Sequence, residues 1–99
     1  MGLQWDKPLI FHLNGSSDTL SIRYQDDGGN LIDVTASSPW STNFNLGSSE
    51  RPFLAFIRVD NNGLPGQDVT VYIRLDDSTK KSGPAVAGGG ALELYTIID

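Results

Sequence analysis

The chain of 99 residues has no cysteine, one histidine, one methionine, and no basic run longer than Lys80–Lys81. Without cysteine there are no disulfides, no thiolate metal sites and no cysteine nucleophile. Seven Lys plus Arg stand against twelve Asp plus Glu, a net charge of −5. That balance argues against direct binding to nucleic acid or to an anionic lipid surface, because neutralising phosphate supplies much of such affinity. Long apolar runs are missing as well. The longest, Leu9–Ile10–Phe11–His12–Leu13, falls far short of the roughly 20 residues that cross a bilayer as a helix. No signal-peptide pattern is visible, and myristoylation is disfavoured because position 6 is Asp6 rather than Ser or Thr. Helical periodicity is absent from any stretch of about ten residues.

What remains is turn chemistry and alternation. Eleven glycines and five prolines are spread through the chain, and 38% of residues are hydrophobic. A chain of this size buries roughly 60–70% of its unfolded surface, enough for one core without staples. Over Thr19–Gln25, Leu20, Ile22 and Tyr24 share one face and Ser21, Arg23 and Gln25 the other. Trp40–Leu46 and Gln67–Leu75 repeat this period of two, which marks strands with one buried face. Leu31–Ala36 follows the turn Asp26–Asp27–Gly28–Gly29–Asn30, whose residues tolerate the positive φ of hairpins. Pro52–Asp60 is apolar on both faces and is expected to lie centrally in its sheet. Ala91–Ile98 sets Leu92, Leu94 and Ile98 against Tyr95 and Ile97. Pro8–Leu13 begins at a proline and is expected at a sheet edge. The fold expected is all-β, an immunoglobulin-like β-sandwich of about seven antiparallel strands. Residues 1–7 would be an N-terminal tether and residues 8–99 a single β-sandwich domain.

The candidate sites are few. Pro39, Trp40 and Phe44 are expected in the structural core, Trp40 as a plug between sheets. Trp5 belongs either to the end of the sandwich or to the tether. His12 would need a nucleophile and an orienting group to be catalytic, and no serine sits in a Gly-x-Ser-x-Gly elbow. The acidic turns are candidates for weak calcium binding. Asp26, Asp27 and Asn30 would share one end with Asp76 and Asp77, and Asp60, Asn61 and Asn62 would occupy the other. Neither set has the spacing of a calcium loop, and such residues more often serve turn geometry. Gly88–Gly89–Gly90 lacks the Lys-Ser/Thr of a phosphate loop. No metal or cofactor is expected. On the non-core side, Arg23, Arg58 and Arg74 recur with Phe56 and Tyr72, the residue types enriched at binding hot spots. These five form the candidate binding face.

Read in order, Ile22-x-Tyr24, the Asp/Gly/Asn turn, Pro39–Trp40–Ser41, Phe44, Val69-x-Val71-x-Ile73 and Asp76 resemble the extracytoplasmic β-sandwich domain of the MmpS family, small mycobacterial membrane proteins with relatives in other bacteria. The resemblance covers residues 19 to 98. It implies a non-enzymatic binding or adaptor domain in the periplasm or at the cell surface, with a membrane or envelope protein as partner, accessory to a transporter. Two features of that family are missing from this sequence: its N-terminal membrane span and the cysteine pair of mycobacterial members. The other functions weighed are a surface module binding carbohydrate or another small ligand through exposed aromatics and, behind it, a small hydrolase.

Overall fold

The computed structural model describes residues 7–46 and 52–98. Eight strands follow in order: β1 (Lys7–Gly15), β2 (Leu20–Gln25), β3 (Leu31–Ala36), β4 (Trp40–Leu46), β5 (Phe53–Asn61), β6 (Val69–Leu75), β7 (Ser78–Ser82) and β8 (Ala91–Ile98). They form two four-stranded sheets, ordered β4-β1-β6-β7 and β3-β2-β5-β8. Every neighbouring pair is antiparallel. Only β2–β3 and β6–β7 are hairpins within a sheet; the other connections pass from one sheet to the other. Residues 1–6, which hold Trp5 and most of the expected tether, lie outside the described residues; Lys7 already belongs to β1.

The period of two read from the sequence becomes the sandwich interior. Leu9, Phe11 and Leu13 of β1 and Val71 and Ile73 of β6 meet Leu20 and Ile22 of β2 and Ala55, Ile57 and Val59 of β5 in one buried cluster. Each fully buried side chain of this size contributes on the order of 1.5–3 kcal/mol. β5 lies between β2 and β8, the central place expected of it.

Two expectations about the strands are corrected. β1 is not an edge strand: it lies between β4 and β6. Pro8 is tolerated there because β6 ends at Leu75, opposite Leu9. Beyond it the chain turns at Asp76, whose N–H donates to the Pro8 carbonyl at 2.8 Å. A residue's N–H and C=O point to the same side of an antiparallel strand, so the donor that Pro8 lacks would face the turn at Asp76 rather than the β1–β6 ladder, which stops at the Leu9–Leu75 pair. The strand count is also one higher than expected. β7 (Ser-Thr-Lys-Lys-Ser) is exposed throughout and carries no apolar alternation. Its place comes from the two-residue turn Asp76–Asp77, in which Asp76 adopts a φ of 58°, a left-handed conformation that Asp accepts more readily than most residues.

The two long sides of the sandwich differ. At the β7–β8 side the sheets close up, and a Cβ on Gly83 would lie 2.5 Å from Leu92 Cδ2. At the β3–β4 side they are held apart by aromatic rings. Trp40 packs on Tyr24 (5.9 Å between centroids), Tyr24 on Phe11 (5.5 Å), Phe11 on Phe44 (6.2 Å) and Phe44 on Phe53 (5.9 Å). Trp40 and Phe44 therefore pack against the core, though half-buried. Pro39 is exposed, which corrects its assignment to the core. Its predecessor Ser38 donates both its N–H and its hydroxyl to the Ser17 carbonyl, each at 2.8 Å.

Candidate functional site

The outward side of the β3-β2-β5-β8 sheet is divided across its length. Strand register sets Asp33, Arg23, Arg58 and Glu93 in one row over all four strands. Arg23 and Arg58 stand directly opposite each other, a repulsive arrangement in isolation. It is relieved by carboxylates on both flanks and along the strand. Arg23 grips Asp33 through Nε (2.7 Å) and Nη2 (3.2 Å). Arg58 holds Asp60 through Nε (3.2 Å) and Nη2 (3.1 Å) and reaches Glu93 through Nη1 (3.0 Å). The hydrogen bond from Arg23, followed by its charge, holds the Asp33 carboxyl below its usual range. Both guanidiniums are pushed up, Arg23 by its bond to Asp33 and Arg58 by its bonds to Asp60 and then Glu93. An open depression of about 380 Å³ lies over the row, lined by Ser21, Arg23, Asp33, Thr35, Arg58 and Asp60. Its arginines already have carboxylate partners, so an incoming anion would have to displace one.

Beside this row the same face turns apolar. Phe56 pairs across the ladder with Tyr95, and Leu54 with Ile97. Leu54 is 42%, Tyr95 62% and Ile97 55% exposed, and Phe56 is half-buried. Single exposed apolar residues are ordinary, but a contiguous group bordered by charge is the pattern of an interaction surface.

The five residues of the candidate binding face do not come together. Arg23, Phe56 and Arg58 share this surface, whereas Tyr72 and Arg74 lie on β6, in the other sheet. Period-two patterning separates inside from outside but does not say which of two outsides a residue occupies, and the sandwich core lies between the two groups. On that second face Arg74 donates through Nη2 to the Asp77 carbonyl at 3.2 Å, and Tyr72 lies 6.0 Å from the His12 ring. Ser41 is opposite His12 across the β1–β4 ladder, without a hydrogen bond between the side chains. The neighbour on the other side is Tyr72 rather than a carboxylate, so the geometry does not assemble a triad.

In the acidic loops Asp26, Asp60, Asn61 and Asn62 do structural work. Asp26 Oδ1 accepts from the N–H groups of Gly28 (3.0 Å) and Asn30 (2.9 Å), closing the β2–β3 turn. Asp60 is paired with Arg58, and Asn62 donates to Ser21 Oγ at 3.0 Å. Asn61, 1% exposed, uses its whole side-chain capacity. Its Nδ2 donates to the carbonyls of Gln67 (2.7 Å) and Val86 (2.9 Å), while Oδ1 accepts from Ser17 Oγ (2.6 Å) and Gly63 N–H (3.0 Å). Its backbone pairs with Gly89 and Gly90. The glycine tract thus wraps Asn61, and a Cβ on Gly88 would collide with the Leu64 carbonyl. Among the described residues no three His, Asp or Glu side chains gather as a metal site.

The residues missed by the sequence reading are Leu54, Tyr95 and Ile97. A signal was present, since both Pro52–Asp60 and Ala91–Ile98 carry apolar residues on each face. Only pairing shows that the second faces coincide. The chain matches no model of a known protein family and has no significant match among curated proteins.

Proposed function

We propose that this domain is a non-enzymatic binding or adaptor module that holds a protein partner on the outward side of the β3-β2-β5-β8 sheet. The observation that carries the reading is the quartet Leu54, Phe56, Tyr95 and Ile97, with three members more than 40% exposed, next to the ordered row Asp33–Arg23–Arg58–Glu93. An apolar centre with a polar border of fixed geometry matches the anatomy of protein interfaces, the aromatics giving affinity and the charges orientation. Immunoglobulin-like describes the architecture proposed here, two antiparallel sheets around one core; the four-plus-four strand arrangement is this chain's own. The resemblance to the MmpS domain adds the setting: an extracytoplasmic module accessory to a membrane transporter or envelope complex.

The test is affinity capture of envelope proteins by the full chain, compared with Tyr95→Glu/Ile97→Glu and with Tyr72→Ala/His12→Ala. A membrane protein retained by wild type and by the second variant, but lost with the first, supports the reading. Loss with the second variant alone would move the site to the opposite face. There Tyr72, His12 and Arg74 favour the other reading, a carbohydrate or small polar ligand stacked on an aromatic ring. Binding of glycans to wild type, abolished by Tyr72→Ala, would establish that alternative.

A further inference from the structure

Asparagine followed by glycine is chemically labile, because no side chain shields the glycine nitrogen from the asparagine amide. The sequence holds two such pairs, Asn14–Gly15 and Asn62–Gly63. Asn14 and Gly15 end β1, opposite Thr70 and Val69 of β6, and extended backbone keeps the following nitrogen from curling back onto the side chain. Asn62 and Gly63 lie outside any strand, in the β5–β6 loop, with Asn62 exposed to water. Crowding opposes a larger residue at position 63. A Cβ on Gly63 would lie 2.6 Å from both Ser17 Oγ and Gln67 Oε1, and Ser17 is itself tied to Asn61. The fold therefore keeps a reactive pair in an exposed loop.

We infer that Asn62 is a deamidation site whose reaction is held in check by the Asn61 cluster and by β2. The Gly63 nitrogen gives up its proton and attacks Asn62 Cγ; the bond from Cγ to Nδ2 breaks, and Nδ2 leaves with that proton as ammonia. Water then opens the succinimide ring at either carbonyl, leaving aspartate or isoaspartate. In the closed loop each of these groups is occupied. The Gly63 N–H donates to Asn61 Oδ1 at 3.0 Å, and that oxygen is fixed by Ser17 Oγ at 2.6 Å. The Asn62 N–H donates to the Thr19 carbonyl at 2.9 Å, and Asn62 Nδ2 donates to Ser21 Oγ at 3.0 Å, which holds the side chain toward β2. Ring closure requires these bonds to part, so the rate follows the population of the opened loop. Isoaspartate adds one carbon to the main chain between residue 62 and the Gly63 nitrogen. That displaces the Gly63 N–H from Asn61 Oδ1, so the loop, once converted, does not close in its old form.

The experiment is peptide mass mapping of the full chain, incubated in mildly alkaline buffer, with conversion followed at Asn62 and at Asn14. In the folded wild type Asn62 should convert roughly tenfold or more slowly than in the same chain unfolded by guanidinium chloride. Ser21→Ala frees Asn62 Nδ2 without touching the buried amide; it should speed conversion of Asn62 several-fold and leave Asn14 unchanged. Asn61→Ala also frees the Gly63 N–H and should speed Asn62 further. Because that variant lowers the stability of the whole domain, its rise at Asn62 should exceed its rise at Asn14. A folded rate equal to the unfolded rate overturns the inference, as does a rate that neither variant changes. A rise shared equally by Asn14 also overturns it, since the protection would then belong to the whole fold rather than to this cluster.

Discussion

Two polar clusters in this domain have similar numbers of hydrogen bonds and opposite surroundings. Around Asn61 the partners are buried or half-buried and uncharged, and every donor and acceptor of the amide is satisfied. Along Arg23 and Arg58 the partners are charged, yet the side chains are 39–67% exposed. Burial decides what each is worth. Water replaces a lost partner at the surface but cannot reach one in the interior, so breaking the uncharged cluster carries the larger cost. The first cluster ties three loops to the end of β5; the second orients a surface.

The comparison is most easily broken at Asn61. Asn61→Ala orphans the Gln67 and Val86 carbonyls, the Gly63 N–H and the Ser17 hydroxyl, and it should cost about 3–4 kcal/mol. Urea unfolding with an unchanged m-value would register this, and a loss under about 1 kcal/mol would show that water enters the cluster. Ser17→Ala removes one of those bonds while Oδ1 keeps Gly63, and about 1 kcal/mol is expected in the same assay. Arg58→Gln, despite removing three charge-assisted bonds, should shift the melting temperature by no more than about 2 °C. A much larger shift would mean that the row is held more rigidly than an exposed network.

The smallest effect is in pH. Asp33 titrates below its usual range because of Arg23, so its contribution is present above the ordinary aspartate value of about 3.9 and is lost as pH falls through the lower, folded value. The raised guanidiniums act the other way and lose their contribution only at extreme alkaline pH. Melting temperatures of wild type and Arg23→Gln should therefore converge as pH falls below the lowered, folded value of Asp33. The Asn61→Ala deficit has no titratable partner and should be the same at pH 4 and pH 7. A deficit that shrank in acid would link the two clusters.

Much of the fold was legible because the period of two is a local property. The side-chain patterns of β2, β4, β5, β6 and β8 are each written in fewer than ten consecutive residues, and the Asp26–Asn30 turn announces its hairpin. β7 was illegible because a polar edge strand has no hydrophobic face to alternate. Its place depends on what β6 offers across the turn at Asp76. Asn61 was read among loop acids and amides because nothing local distinguishes an amide that will be buried from one left in solvent. The candidate face was half-legible: Arg23, Phe56 and Arg58 belong together, but Tyr72 and Arg74 do not join them.

By itself the sequence determined that the chain is all-β, which residues of most strands point inward, and that cysteine chemistry plays no part. Those follow from composition and from the two-residue repeat of an extended chain. Only the tertiary structure decided sheet membership, the central place of β1, the burial of Asn61 and the meeting of Leu54 and Phe56 with Ile97 and Tyr95. Strand partners in a sandwich are separated by long stretches of chain, and which edges meet is settled by closing one shared core rather than by any local preference.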